Sequence, residues 1–274
     1  MSATTTKPAK PAQKTTPSAS IPEAGRVTEL FERIPTSSAH QARLQLYQPT
    51  RRPVWQERVI ETPWGRATVR GKLGQVHADI VEAICRHAED HRVIPQTGHL
   101  QVLVDPYRVR VSVGGGKAYP KDTLWKMLTE LREVSITLEV PSQKFKVLGG
   151  LLDRVEASEA TRTHPVTGEP RALWRVTFDP AFAALLQADL QLYYEPGPLA
   201  AIDAGVAQAI ARHVLTHRES PEGGWHLDTL IRLVGAEGTS NTTLRNRRRE
   251  VHACAEQLAC VGVLVEGERV QRKP

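Results

Sequence analysis

The chain has 274 residues, of which 40% are hydrophobic, so it can hold one large domain or two small ones. No apolar run approaches the roughly 20 residues of a membrane span, and the first 20 residues lack the apolar segment of a secretory signal. Three cysteines do not form a disulfide framework in a chain of this length. We therefore expect a cytoplasmic protein without a membrane partner.

The net charge of +6 and the pI near 9.4 favour an acidic partner. Residues 1–73 hold 12 Lys/Arg against 5 Asp/Glu, whereas residues 74–194 hold 14 against 15 and residues 195–274 hold 10 against 10. Residues 1–25 are rich in Pro, Thr, Ala and Lys and contain no aromatic side chain, which is typical of a flexible tail. We predict a disordered or extended basic arm over residues 1–50.

After the arm, β-branched residues flank the turn signal Thr62-Pro63-Trp64-Gly65, which predicts a hairpin over residues 55–70. Residues 106–113 are ambiguous. Asp105-Pro106 is typical of a helix start, but the alternating valines favour a strand, and we favour the helix. Apolar spacing predicts the other elements of this half as helices at 75–91 and 120–134 and strands at 100–104, 136–140, 145–148 and 174–178.

The second half shows a similar succession of elements. The predicted order is a helix at 201–216, a strand at 225–226, helices at 227–234 and 240–260, and strands at 263–266 and 269–272. The order helix, strand, helix, helix, strand, strand thus occurs twice, which is typical of a winged helix with its helix-turn-helix. The predicted fold is α+β, with winged-helix domains over residues 51–194 and 195–274 behind the basic arm.

Four arginines lie within five positions just after the start of the predicted helix at 240–260. A helix usually collects negative charge in its first turn, so an external anion must account for these cations. At 100° per residue, Leu244, Val251 and Leu258 form one face, and the polar row lies opposite. Arginine suits guanine and asparagine suits adenine in the major groove. The predicted DNA-binding residues here are Ser240, Asn241, Thr242, Arg245, Asn246, Arg247, Arg248 and Arg249.

Within this set, Arg247 and Arg248 fall on the flanks of the helix. We expect them to reach phosphates or to lie along the core edge with their stems buried. The alternative for the whole helix is a solvated cationic surface without a ligand.

The equivalent helix of the first half is less basic. Lys121, Trp125, Lys126 and Arg132 lie off its apolar stripe and complete the predicted DNA-binding set. Trp125 either contacts DNA or packs against a neighbouring element. This half either binds DNA more weakly or serves for oligomerisation.

No catalytic or metal site emerges from the sequence. The stretch Gly114-Gly115-Gly116-Lys117-Ala118 lacks the Ser/Thr of a phosphate-binding loop. The pairs His87/His91 and His213/His217 lack any zinc-ligand frame, and we expect them to be solvated at helix C-termini. Tyr193-Tyr194 lacks the histidine metal motif of strand-nicking enzymes. We predict a protein that is not an enzyme and uses no cofactor or metal.

The sequence resembles plasmid replication initiators of the TrfA type and the related IncQ plasmid initiators. The main match covers residues 199–263 and includes Leu199-Ala200-Ala201-Ile202-Asp203 and Ser240-Asn241-Thr242-Thr243-Leu244-Arg245. A second match covers residues 121–136, and a looser one begins at Leu30, so that most of residues 27–272 is included. The match depends on order and length, since no short diagnostic signature occurs.

This resemblance implies tandem winged-helix domains that bind directly repeated origin sites (iterons) in double-stranded DNA. It also implies opening of an AT-rich duplex, recruitment of the host helicase and host initiator proteins, and self-association, in which monomers bind and dimers restrain copy number. The family's sliding-clamp motif matches at Leu30 and Phe31, where Glu29 replaces the usual leading Gln. Two rivals stay open: a winged-helix repressor of a plasmid or phage origin, and a nicking endonuclease.

Overall fold

The computed structural model describes residues 33–273 except 44, 63–64, 141–144, 164–167, 188–190 and 237–239. The predicted flexible tail at 1–25 and the clamp-like Leu30 and Phe31 lie outside the described residues, as do Pro63 and Trp64 of the predicted turn.

Over the described residues, the first part of the chain contains helices, two four-stranded antiparallel sheets and one two-stranded antiparallel sheet. Its elements are β1 (Ser37–Ser38), α1 (Ala39–Arg43), β2 (Gln56–Thr62), β3 (Gly65–Gly71), α2 (Gln75–Arg86), β4 (Ala88–Val93), β5 (Leu100–Val104), α3 (Pro106–Val113), α4 (Lys121–Arg132), β6 (Ser135–Val140), β7 (Phe145–Gly149), β8 (Leu152–Thr163), β9 (Pro170–Phe178), α5 (Pro180–Gln187) and β10 (Gln191–Leu192). The strand orders are β2-β3-β6-β7 and β4-β5-β9-β8, and β1 pairs with β10.

The second part is smaller and has one three-stranded sheet. Its elements are α6 (Pro196–Ala200), α7 (Gly205–Leu215), β11 (Trp225–His226), α8 (Leu227–Leu233), α9 (Asn241–Ala253), α10 (Ala255–Cys260), β12 (Val263–Glu266) and β13 (Arg269–Arg272). The strand order is β11-β13-β12, in which Val270 of β13 lies opposite both Trp225 and Val265. The chain is therefore α+β in both parts.

The two parts share a pairing pattern. In each, a strand that follows the first long helix pairs with the second strand of a later hairpin, as β5 does with β9 and β11 with β13. In the predicted winged-helix order, the strands at 136–140 and 145–148 close the first unit as its wing, and the structure corrects that placement. The hairpin directly after α4, β6 and β7, pairs with β3, whereas the hairpin that pairs with β5 is β8 and β9.

The apolar side chains form two separate clusters. One runs from Ile34 to Leu186 and includes α2, α4 and both larger sheets, and the other runs from Leu199 to Val270 and includes α7, α8 and α9. The boundary predicted at 194/195 falls between Leu186 and Leu199. The boundary predicted at residue 50 falls inside packed structure, because Leu46 and Tyr47 are buried in the first cluster. These apolar residues follow neither a helical nor a strand period, so the sequence pattern did not reveal their burial.

Several predicted bounds were wrong. The helix predicted at 75–91 ends at Arg86, because the stretch that follows, Ala88–Val93, pairs with β5 as β4. The helix predicted at 240–260 is interrupted at Cys254, and the helix predicted at 201–216 begins at Gly205. Pro106–Val113 is helical, as favoured, and the Asp105 carboxylate caps it by accepting from the Tyr107 N–H at 2.9 Å.

Candidate nucleic-acid interface

Helix α9 begins at the predicted place. Ser240 has an extended backbone, and its hydroxyl oxygen accepts a hydrogen bond from the Thr243 N–H at 3.2 Å. Side-chain caps of this kind satisfy one of the free N–H groups at a helix start. Val251 is fully buried and Leu244 packs against the second apolar cluster, so one face of α9 rests on α7 and α8. The opposite face is thereby oriented to solvent.

The exposed face carries most of the predicted row. Its exposed members are Ser240, Asn241, Thr242, Arg245, Asn246 and Arg249. Among the residues that the structure describes, no carboxylate lies within ion-pair distance of Arg245 or Arg249. These two guanidinium groups lie four residues apart, one turn of helix, on the same surface. Their hydrogen-bond donors are therefore available to an external acceptor.

Arg248 has a partner inside the protein. Its guanidinium donates to both carboxylate oxygens of Asp228 on α8, with Nε 2.6 Å from Oδ1. This hydrogen bond from Arg248 holds the pKa of Asp228 below its usual value. Of the two roles predicted for Arg248, the structure favours the one at the core edge, where the pair fixes α9 to α8. A pair 20 residues apart in sequence leaves no periodic signal.

Arg247 has a weaker partner. Its Nη1 lies 2.8 Å from a carboxylate oxygen of Glu250, three residues along the same half-exposed helix flank. Exposed pairs of this type contribute little to stability, so Arg247 can exchange Glu250 for a phosphate at small cost.

On α4, the predicted residues Lys121, Trp125, Lys126 and Arg132 are exposed, while the opposite face is buried. The Trp125 ring packs edge-to-face against Trp174 of β9, with ring centres 5.8 Å apart, yet 50% of Trp125 remains exposed. The packing alternative for this residue is therefore seen in the structure, and a DNA contact through its free face remains a prediction.

A buried histidine of α2 holds α4 in place through a hydrogen bond, which the sequence reasoning missed. His77 of α2 accepts a hydrogen bond at Nδ1 from the Gly74 N–H at 3.1 Å, so its Nε2 carries the proton and donates to Glu130 of α4 at 3.0 Å. Lys72 donates to the other oxygen of Glu130 at 2.7 Å. Burial lowers the pKa of His77, so the ring is neutral at pH 7.

The residues that were considered for catalysis are held by contacts within the fold or lie in separate elements. Tyr194 is half-buried and donates its hydroxyl to Glu82 at 2.6 Å, while His87 is the C-cap of α2 and His91 lies in β4. His213 is buried, which corrects the expectation that it is solvated. Within the described part of the chain, no three His, Cys, Asp or Glu side chains are grouped as metal ligands, and no helix is long and apolar enough to cross a membrane.

The fold is similar to that in the crystal structure of domains 2 and 3 of RctB. The TM-score is 0.55 at 15% sequence identity, and the match covers 86% of this chain and 95% of that chain. No protein-family model matches the sequence, and no curated protein matches it. At this sequence identity the similarity shows the fold alone, and the TrfA type remains a prediction.

Proposed function

We propose that the chain is a sequence-specific double-stranded DNA-binding protein that initiates replication. The observation that carries the proposal is the exposed row at the start of α9, where Arg245 and Arg249 face solvent without a described carboxylate partner. A capped helix of 13 residues with one buried face can lie in a major groove. Its N-terminal side chains then meet the base edges.

The proposal includes two winged-helix units, each with a helix-turn-helix. In the second, α8 would be the first helix, α9 the reading helix and β12 with β13 the wing. In the first, α3, α4 and the β8–β9 hairpin would take these places. The shared strand pairing of β5 with β9 and β11 with β13 supports this assignment. The exposed cations of α4 support a role for this helix as a second recognition helix that binds DNA more weakly.

The replication role rests on the fold shared with domains 2 and 3 of RctB, a replication initiator, across most of both chains. The proposal extends to direct repeats as the binding site, opening of an AT-rich duplex, and contacts with host helicase and initiator proteins. It also includes self-association and clamp docking through Leu30 and Phe31. The chain would act without enzymatic chemistry, and incubation of a supercoiled plasmid with magnesium and protein should then produce no nicks.

The test begins with a duplex selected from a random library, placed beside an AT-rich segment in a supercoiled plasmid. An initiator should make thymines of that segment reactive to permanganate, and the Arg245→Ala/Arg249→Ala variant should not. The repressor alternative predicts a palindromic site through two-fold symmetry and no reactive thymines. Binding without any opening would overturn the initiator role and leave DNA binding intact.

A further inference from the structure

The contact between the two parts of the molecule contains a buried charged network. Arg212 of α7 is only 5% exposed, and it faces Asp79 and Glu82 of α2, which are fully buried. Its Nη2 lies 2.6 Å from Asp79 and 2.9 Å from Glu82, and its Nε lies 2.8 Å from Glu82. Its Nη1 donates to Gln75 at 2.7 Å. Each nitrogen of this guanidinium is thus hydrogen-bonded across the contact.

Neighbouring groups complete the network. Gln208 of α7 donates to Asp79, and Tyr194 donates to Glu82. Burial raises the pKa of Tyr194, so its hydroxyl stays protonated and remains a donor. On the other side of Asp79, Arg51 lies 3.5 Å away and also donates to the Ala200 carbonyl at 2.9 Å. Two arginines and two carboxylates therefore balance in charge inside the contact.

The backbone comes close at the same place. A Cβ atom on Gly205, the first residue of α7, would lie 2.4 Å from the Cα of Thr50. Only glycine permits this approach of α7 to the segment before Arg51. The two parts thus contact each other through this close backbone approach and the charged network, while their apolar clusters remain separate.

The network lies between the two candidate reading helices. On one side, α4 is tied to α2 through Glu130 and His77. On the other side, α9 packs on α7 and is tied to α8 through Arg248. Every link between α4 and α9 in this series is a directional hydrogen bond or a packed helix pair.

We propose that Arg212 is a positioning residue that fixes α4 relative to α9, so that the protein reads one composite DNA site with a fixed spacing. The inference rests on the proposed DNA binding. Bidentate charged hydrogen bonds specify an orientation, whereas an apolar contact allows sliding. In some proteins a buried polar or ionic group specifies one arrangement while adding little stability.

The first measurement is independent of DNA. Spin labels at Thr129→Cys on α4 and His252→Cys on α9, in a Cys260→Ser background, report the distance between the helices, since Cys85 and Cys254 are buried. We expect one narrow distance distribution for the parent protein and a broad one for Arg212→Leu. Glu82→Gln, which keeps the side-chain shape, should broaden it less. Arg218→Leu, the same change at an exposed arginine, should leave it narrow.

The second measurement uses the selected duplex with one, two or five base pairs inserted between the DNA segments that α4 and α9 contact. One base pair moves the second segment by about 3.4 Å and about 35° around the duplex. The parent protein should lose at least 10-fold in affinity at each insertion. Glu82→Gln and Arg212→Leu should bind the native spacing more weakly but show less than a 3-fold loss on insertion.

The outcomes separate the two proposals. A broad distribution in the parent protein, or equal affinity for all spacings, overturns the positioning role. Equal insertion losses in the parent protein and in Arg212→Leu overturn it as well. The remaining outcome is a narrow distribution that broadens only in the network variants, together with no sequence enriched from the library. It supports the positioning role of Arg212 but overturns the DNA-binding function and hence the composite site.

Discussion

Replacing Arg245 by alanine should remove base recognition at one position of the DNA site. Arg245 is exposed near the start of α9 and has no described carboxylate partner, so no internal ion pair has to break when it binds. Its loss should also leave the fold intact, because the buried face of α9 is formed by other residues. The effect should therefore appear in binding and not in unfolding.

The magnitude follows from a bidentate contact to guanine, which contributes about 1–3 kcal/mol of discrimination. That corresponds to roughly a 5- to 150-fold loss of affinity for the selected duplex. Arg249 lies four residues on, about 6 Å along the helix axis. Base pairs are spaced about 3.4 Å apart, so the two arginines should affect positions about two base pairs apart.

The assay is fluorescence anisotropy with the selected duplex and a set of single base-pair changes. Arg245→Ala should bind the parent site and one set of changed sites equally, while keeping its preferences elsewhere. An equal loss on every duplex, together with a smaller dependence on salt, would refute the reasoning, because it would mean that Arg245 contacts phosphate only.

The remaining predictions concern the supports of the site. Arg247→Ala should reduce the slope of log affinity against log salt by about 1, whereas Arg248→Ala should leave that slope unchanged and lower the melting temperature, because Arg248 is held by Asp228; salt titrations and melting curves compare the two. Val251→Ala should lower the unfolding free energy by about 1–3 kcal/mol in urea denaturation, because Val251 is fully buried, and unchanged stability would contradict that burial. The parent protein should lose stability as the pH falls below about 6.5, since the unfolded His77 then takes up a proton that the folded ring, with its lowered pKa, resists. This loss should be smaller in His77→Gln, and equal slopes in the two proteins would exclude His77 as its source.

The sequence predicted the start of α9 and its exposed row because both are local. A serine cap, an apolar face and a polar face are all set by neighbours within a few turns. The same reasoning missed β8, whose residues are mostly polar and exposed on both faces, so no alternation marks it. The pattern at 75–91 ran past Arg86 because β4 continues without a glycine or proline between them.

The sequence could not predict the pairs that join distant parts of the chain. Charged side chains such as Asp79 and Glu82 are usually exposed. In the structure almost every residue of α2 is buried, and Arg212 of α7 contacts both carboxylates. Arg212 stands 130 residues or more from these partners. These charges come together only in the three-dimensional structure, and the spacing of residues within one helix cannot predict such a contact.

The most direct test of the central claim, that the exposed row of α9 reads base edges, is selection from a random duplex library at near-physiological salt. The parent protein and Arg245→Ala/Arg249→Ala would be run side by side. We predict that the parent protein enriches one asymmetric site about two helical turns long. The variant should lose preference at two positions about two base pairs apart. The same site from both proteins, or no enriched sequence from the parent protein, would contradict the claim.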